Sequence, residues 1–142
     1  MMALTQCSSK DRASLEAYIE PWRTAVCDYE NFDCVRFVSG WIEQRTGKNP
    51  IRDLPEWRSK RSGVLVATRG HSRVSEHANA LLGASVAISE AQWGDVVGID
   101  GPPLDPLGIV DGREGIFLSP LGGLKRVPLR VCSFAWRIEC RL

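Results

Sequence analysis

The order of periodicities along this chain predicts an α+β fold, with N-terminal helices packed on a C-terminal antiparallel sheet or half-barrel. Two observations carry the prediction. As far as Leu82, apolar residues recur at helical spacing; from residue 84 onward they fall in short runs separated by Gly and Pro turns. Helices followed by strands, rather than alternating with them, argue for segregated layers and against a parallel sheet. The length of 142 residues, with 44% hydrophobic and 25% charged positions, suits one domain over 1–142 with a core at about 12–138.

Residues 11–27 read as a helix, with Leu15, Tyr18, Ile19 and Trp22 at helical spacing. Ser8, Ser9 or Asp11 would cap it and Pro21 would split it. Residues 34–46 give the strongest helical signal: Asp33 is a natural N-cap, Gly47 a natural stop, and Phe37, Val38, Trp41 and Ile42 form one apolar face. Residues 51–70 are expected to be a connector, with a short helix near Glu56–Lys60 and an extended piece at Val64–Ala67. Residues 72–82 read as a further helix, burying Val74, Ala78, Leu81 and Leu82 and ending at Gly83.

Short β segments are then expected at Val86–Ile88, Asp95–Asp100, Leu107–Asp111, Gly115–Ser119, Leu124–Val127 and Ser133–Ile138. Asp111-Gly112 and Gly122-Gly123 are hairpin-type turns. No repeat, linker or low-complexity tract interrupts them.

Net charge is +1, which gives no footprint for nucleic acid or an anionic membrane. The densest basic run, Arg58-Ser59-Lys60-Arg61, reads as a solvated loop. No run approaches a membrane span, and the first residues have neither the cationic flank nor the apolar stretch of a secretory signal. The cysteines are Cys7, Cys27, Cys34, Cys132 and Cys140, an odd number with no C-x-x-C pair. Neither a disulfide scaffold nor a metal centre is indicated, and no cofactor is expected. Cys7, Cys27, Cys132 and Cys140 read as small buried hydrophobes.

Asp33-Cys34 is the chemically suggestive pair. A cysteine in the first helical turn sits near unpaired N–H groups and the positive end of the helix dipole, both of which favour a thiolate. The alternative is a small buried side chain at a helix start. His77 is the better placed of the two histidines to act as a base; the plainer reading makes it a partly exposed helix residue beside Glu76 and Asn79. His71 follows Gly70 and belongs to a loop or cap, and Asp95 and Asp105 are candidates to orient a base. Trp57, in a charged loop, is either an exposed anchor for a partner or a staple holding the loop down. Pro120–Leu124 is either a partner-contact loop or a tight hairpin.

The helix-borne Asp33-Cys34, then Gly94-Asp95-Val96-Val97, then Leu107-Gly108-Ile109-Val110, form an ordered pattern that resembles the NlpC/P60 superfamily of papain-like thiol hydrolases. Asp33–Trp41, Thr46-Gly47 and the terminal Ala135-Trp136-Arg137 extend the resemblance to a family of phage and prophage proteins of this size encoded among tail genes, over roughly residues 15–138. The superfamily resemblance implies peptidoglycan stem-peptide cleavage with Cys34 as nucleophile. It also puts the base at Pro106, which accepts no proton, and the orienting residue at Leu118 or Ser119. The phage resemblance implies a structural part of a tail tip, assembled in the host cytoplasm, localised to the virion tail and partnered by tail hub and tail-tip proteins. The competing expectation is an active amidase that uses Cys34 with His77 or with a base from a partner.

Overall fold

The computed structural model describes residues 12–101 and 105–139. The expected cap residues Ser8, Ser9 and Asp11, together with Cys7 and Cys140, lie outside the described residues.

Helix α1 spans Arg12–Ile19 and tightens into a 3₁₀ turn, Glu20–Trp22, at Pro21. Its buried side, Leu15, Ile19 and then Trp22, meets α2 in an aromatic cluster. There Trp22 packs edge-on to Phe37 at 5.0 Å, and the Tyr18 hydroxyl donates to the Phe37 carbonyl at 2.6 Å. Helix α2 spans Cys34–Thr46, bounded by the Asp33 cap and by Gly47 in the left-handed region. Its predicted face, Phe37, Val38, Trp41 and Ile42, is buried. Each such side chain contributes on the order of 1.5–3 kcal/mol of burial. The Trp41 indole N–H donates to the Gly94 carbonyl at 2.9 Å and ties α2 to the sheet.

Helix α3 spans Lys60–Thr68, so the expected extended piece at Val64–Ala67 is helical and the helix expected at Glu56–Lys60 starts later. Its start is a reciprocal cap between Ser59 and Ser62. Gly63, Val66 and Ala67 fall on one buried side. A Cβ at Gly63 would come within 2.9 Å of Trp57 and 3.2 Å of Tyr29, so only glycine allows those rings to close on the helix. Helix α4 spans Val74–Leu82. Val74 and Ala78 are buried as expected, Leu82 is half-buried, and Leu81 is exposed.

Five antiparallel strands follow: β1 Val96–Gly98, β2 Leu107–Asp111, β3 Glu114–Leu118, β4 Leu124–Pro128 and β5 Phe134–Trp136, in the order β4-β3-β2-β1-β5. The Val86–Ile88 segment makes a single bridge, Val86 to Ala135, before a 3₁₀ turn at Ile88–Glu90. Alternation sorts the two faces. Val96, Ile109, Ile116 and Trp136 join the helices in the main core, while Val97, Val110 and Phe117 pack on the other face with Cys132.

Candidate functional site

The approach to Cys34 begins at Asp28. Its carboxylate accepts the backbone N–H groups of Glu30, Asn31 and Phe32, each at 2.9 Å. Those N–H groups hold its pKa at about 2. The turn places Tyr29 at φ 58°, a left-handed conformation that costs a tyrosine about 1–2 kcal/mol. Asp33 follows, almost fully buried. It accepts from the Arg36 N–H at 2.8 Å and from the Trp57 indole at 2.8 Å, and it pairs with the Arg36 guanidinium. Arg36 lies over the Trp57 ring at 4.1 Å and donates to the Trp57 carbonyl at 2.6 Å. Trp57 is therefore the staple, only 4% exposed, and not an exposed anchor. Asp33 is the helix cap and the centre of a structural network.

Cys34 opens into a cleft of about 270 Å³ lined by Cys27, Tyr29, Trp57, Gly63, Ala67, Pro106, Leu118 and Pro120, with Lys60 also on its wall. Burial pushes the Cys34 thiol up to about 11. The Leu107 N–H lowers it only in part, while the Asp33 and Cys27 charges raise it further. The thiolate-favouring effect expected of the helix start is thus overridden by desolvation and by the neighbouring carboxylate. Cys27 is half-buried on the cleft wall with its thiol bonded to Tyr29, so the sequence reading of a fully buried cysteine is corrected. Cys132 is buried.

Pro106 immediately precedes β2 and is held as firmly as Cys34. Its carbonyl accepts from the Ile99 N–H at 3.0 Å. The preceding Asp105, fully buried, accepts the Ser75 and Gly101 N–H groups at 2.9 Å and grips Arg73 through both oxygens, with Arg73 Nε at 2.9 Å. Burial alone would raise the Asp105 pKa; Arg73 and the two N–H groups hold it well below the usual carboxylate range. Asp105 is committed to this network, and Asp95 is equally committed, to the Ile138 and Gln92 N–H groups at 3.0 and 2.8 Å. Leu118 reaches the cleft, while the Ser119 hydroxyl accepts from the Leu121 N–H at 3.2 Å inside its own turn.

His77 is buried rather than partly exposed. Its Nδ1 lies 2.8 Å from the Ala67 carbonyl, and its ring stacks on His71 at 5.2 Å. It lines a separate apolar cavity of about 40 Å³ and is absent from the lining of the Cys34 cleft. The structure therefore brings together Cys34, Pro106 and Leu118, the positions that the resemblance assigns to nucleophile, base and orienting residue, and leaves His77 outside. Tyr29, Cys27 and the Leu107 N–H were missed; the Asp28-Tyr29 turn before the helix was the one local signal for them. Among the described residues no group of three or more His, Cys, Asp or Glu could hold a metal ion, and no helix is long and apolar enough to cross a membrane.

Cysteine-bearing helix and antiparallel sheet together define an NlpC/P60-like fold. The chain resembles the crystal structure of the NlpC/p60 domain of the peptidoglycan hydrolase SagA at 19% identity, over 89% of this chain and 98% of that chain, with a TM-score of 0.56. The protein belongs to a family described as a domain of unknown function (DUF6950), whose pattern matches residues 8–138. No curated protein matches it.

Proposed function

We propose that this protein is a structural component of a phage-type tail tip, a peptidase-shaped module docked on tail hub and tail-tip proteins and devoid of peptidase activity. One observation carries the inactive half of this reading: Cys34, Pro106 and Leu118 line the same cleft. Proline supplies no base for the thiol and no acid for a leaving amine. Removing one member of such a unit usually abolishes nearly all of its effect. The thiol held at about 11 fits a cysteine kept for packing. The tail assignment rests on the resemblance to tail-gene proteins.

The test is mass spectrometry of purified particles, combined with incubation of the pure protein with peptidoglycan stem peptides. The chain is expected in particles, with no cleavage. A chain absent from particles sinks the structural role, and cleavage that Cys34→Ala abolishes sinks the inactive reading. That second outcome is what the alternative requires, an amidase acting during genome delivery with a base from a partner. The open cleft and the Leu107 N–H facing the Cys34 sulfur favour that alternative.

A further inference from the structure

Among the described residues, the outer side of α3 is exposed. Arg61 and Leu65 are both exposed and stand one turn apart on α3, so they share a face, and the exposed Arg58 and Arg69 flank the helix just before its cap and at its end. Lys60 stands beside them at the same helix start, where it also lines the Cys34 cleft. Leu65 is 65% exposed at the centre of the row.

Two observations separate this face from an ordinary solvated surface. No carboxylate occurs between Glu56 and Glu76 in the sequence. Lys60 and Arg61 occupy the first turn of α3 with no acidic residue there. The helix dipole disfavours cations at that end, so this placement works against the helix.

We propose that this face of α3 docks a partner protein through an acidic helix carrying an apolar residue at its centre. Glutamates or aspartates one turn to either side of that residue would pair with Arg61 and Arg69, and the apolar residue would cover Leu65. Charge complementarity selects an acidic partner, and the exposed leucine between arginines selects a protein over a bare polyanion. Arginine with a central apolar contact is the composition of interface centres. For the identity of the partner as a tail protein, the proposal rests on the reading above; the chemistry of the face does not.

The test uses the whole protein and a fluorescent helical peptide with Glu, Leu and Glu at four-residue spacing, read by anisotropy. A peptide with Gln for both Glu, duplex DNA and phosphatidylglycerol vesicles are the controls. Binding of the Glu peptide should weaken as salt rises. It should fall at least ~10-fold in R61E/R69E, as loss of paired interface charges does. Leu65→Ser should lower peptide affinity severalfold. These side chains are exposed, so the variants should keep the wild-type melting temperature. Carbodiimide coupling of the wild type should join Lys60 to a peptide glutamate, a readout that needs no variant. The proposal is overturned if the Glu peptide does not bind, if the Gln peptide binds as well, if DNA or vesicles bind in its place, or if R61E/R69E changes nothing. Particles that lack the wild-type chain sink the tail reading alone. Particles that take up R61E/R69E at the wild-type level rule out a tail protein as the partner of this face.

Discussion

The two walls of the Cys34 cleft are built alike and differ in what they present. On one side Asp33, buried, ties the start of α2 to Arg36 and Trp57 and holds Cys34 in place. On the other Asp105, buried, ties Arg73, Gly101 and the start of α4 together and holds Pro106 in place. Both walls spend a buried carboxylate on positioning, one for a potential nucleophile and the other for a side chain that cannot take a proton. The framework that sets the strand against the helix is therefore made by the two carboxylates and their partners, and it does not depend on a proton-accepting side chain at position 106.

The largest expected effect tests whether the two aspartates are equal supports. Asp33→Ala and Asp105→Ala should each cost about 3 kcal/mol in urea unfolding, since each leaves buried donors unpaired. A loss below about 1 kcal/mol at either site would break the symmetry and show that wall to be held by packing instead.

The pH dependence of stability sharpens the comparison because the walls titrate in opposite directions. The folded Asp105 pKa lies below the usual carboxylate value, so its contribution is present above about pH 4 and is lost as the pH falls toward the folded value. The folded Cys34 pKa is raised to about 11, so its contribution is complete below the unfolded value and disappears as the pH climbs to the folded one. Between about pH 8.5 and 11 the wild type should lose up to about 2 kcal/mol relative to Cys34→Ala. Parallel curves would mean a solvated sulfur. Iodoacetamide labelling should agree, remaining slow at pH 8 and rising toward pH 11.

A smaller effect is expected from placing an imidazole at position 106. Pro106→His should raise Cys34 alkylation at neutral pH roughly tenfold through an imidazolium–thiolate pair. The backbone should accept the change, because the Pro106 carbonyl keeps its bond from the Ile99 N–H and the residue lies just outside β2. An unchanged rate would show that position 106 does not reach the sulfur. The smallest effect belongs to the lip of the cleft. Leu121 is 97% exposed in a turn closed by Gly122 N–H to the Ser119 carbonyl and Ser119 N–H to the Gly123 carbonyl, and tied to the Ala25 carbonyl through the Gly123 N–H. Leu121→Ser should alter stability by less than about 0.5 kcal/mol, measured by thermal unfolding.

Where local chemistry decides, the sequence is legible. Helix α2 begins after Asp33 and ends at Gly47 as expected, because a capping carboxylate and a left-handed glycine act over a single turn. Strand β2 at Leu107–Asp111 and the neighbouring strands follow from β-branched runs between turn residues. The resemblance to the NlpC/P60 superfamily implied that Pro106 stands near Cys34, and the two line one cleft.

Tertiary packing decided the rest. Helix α3 contains Gly63, Val64 and Val66, a poor helical composition, and owes its helicity to the Ser59–Ser62 cap and to packing against Trp57 and Tyr29. Trp57 looked exposed because its neighbours are charged, yet one of its partners, Asp33, lies twenty-four residues away. His77 turned from the cleft because the Ala67 carbonyl claims its Nδ1. Sequence by itself determined which residue types stand at each wall, since helix caps and strand runs are local. Only the fold decided the surroundings of Cys34: a helix start favours the thiolate, but the cleft walls around the half-buried sulfur and the Asp33 carboxylate oppose it.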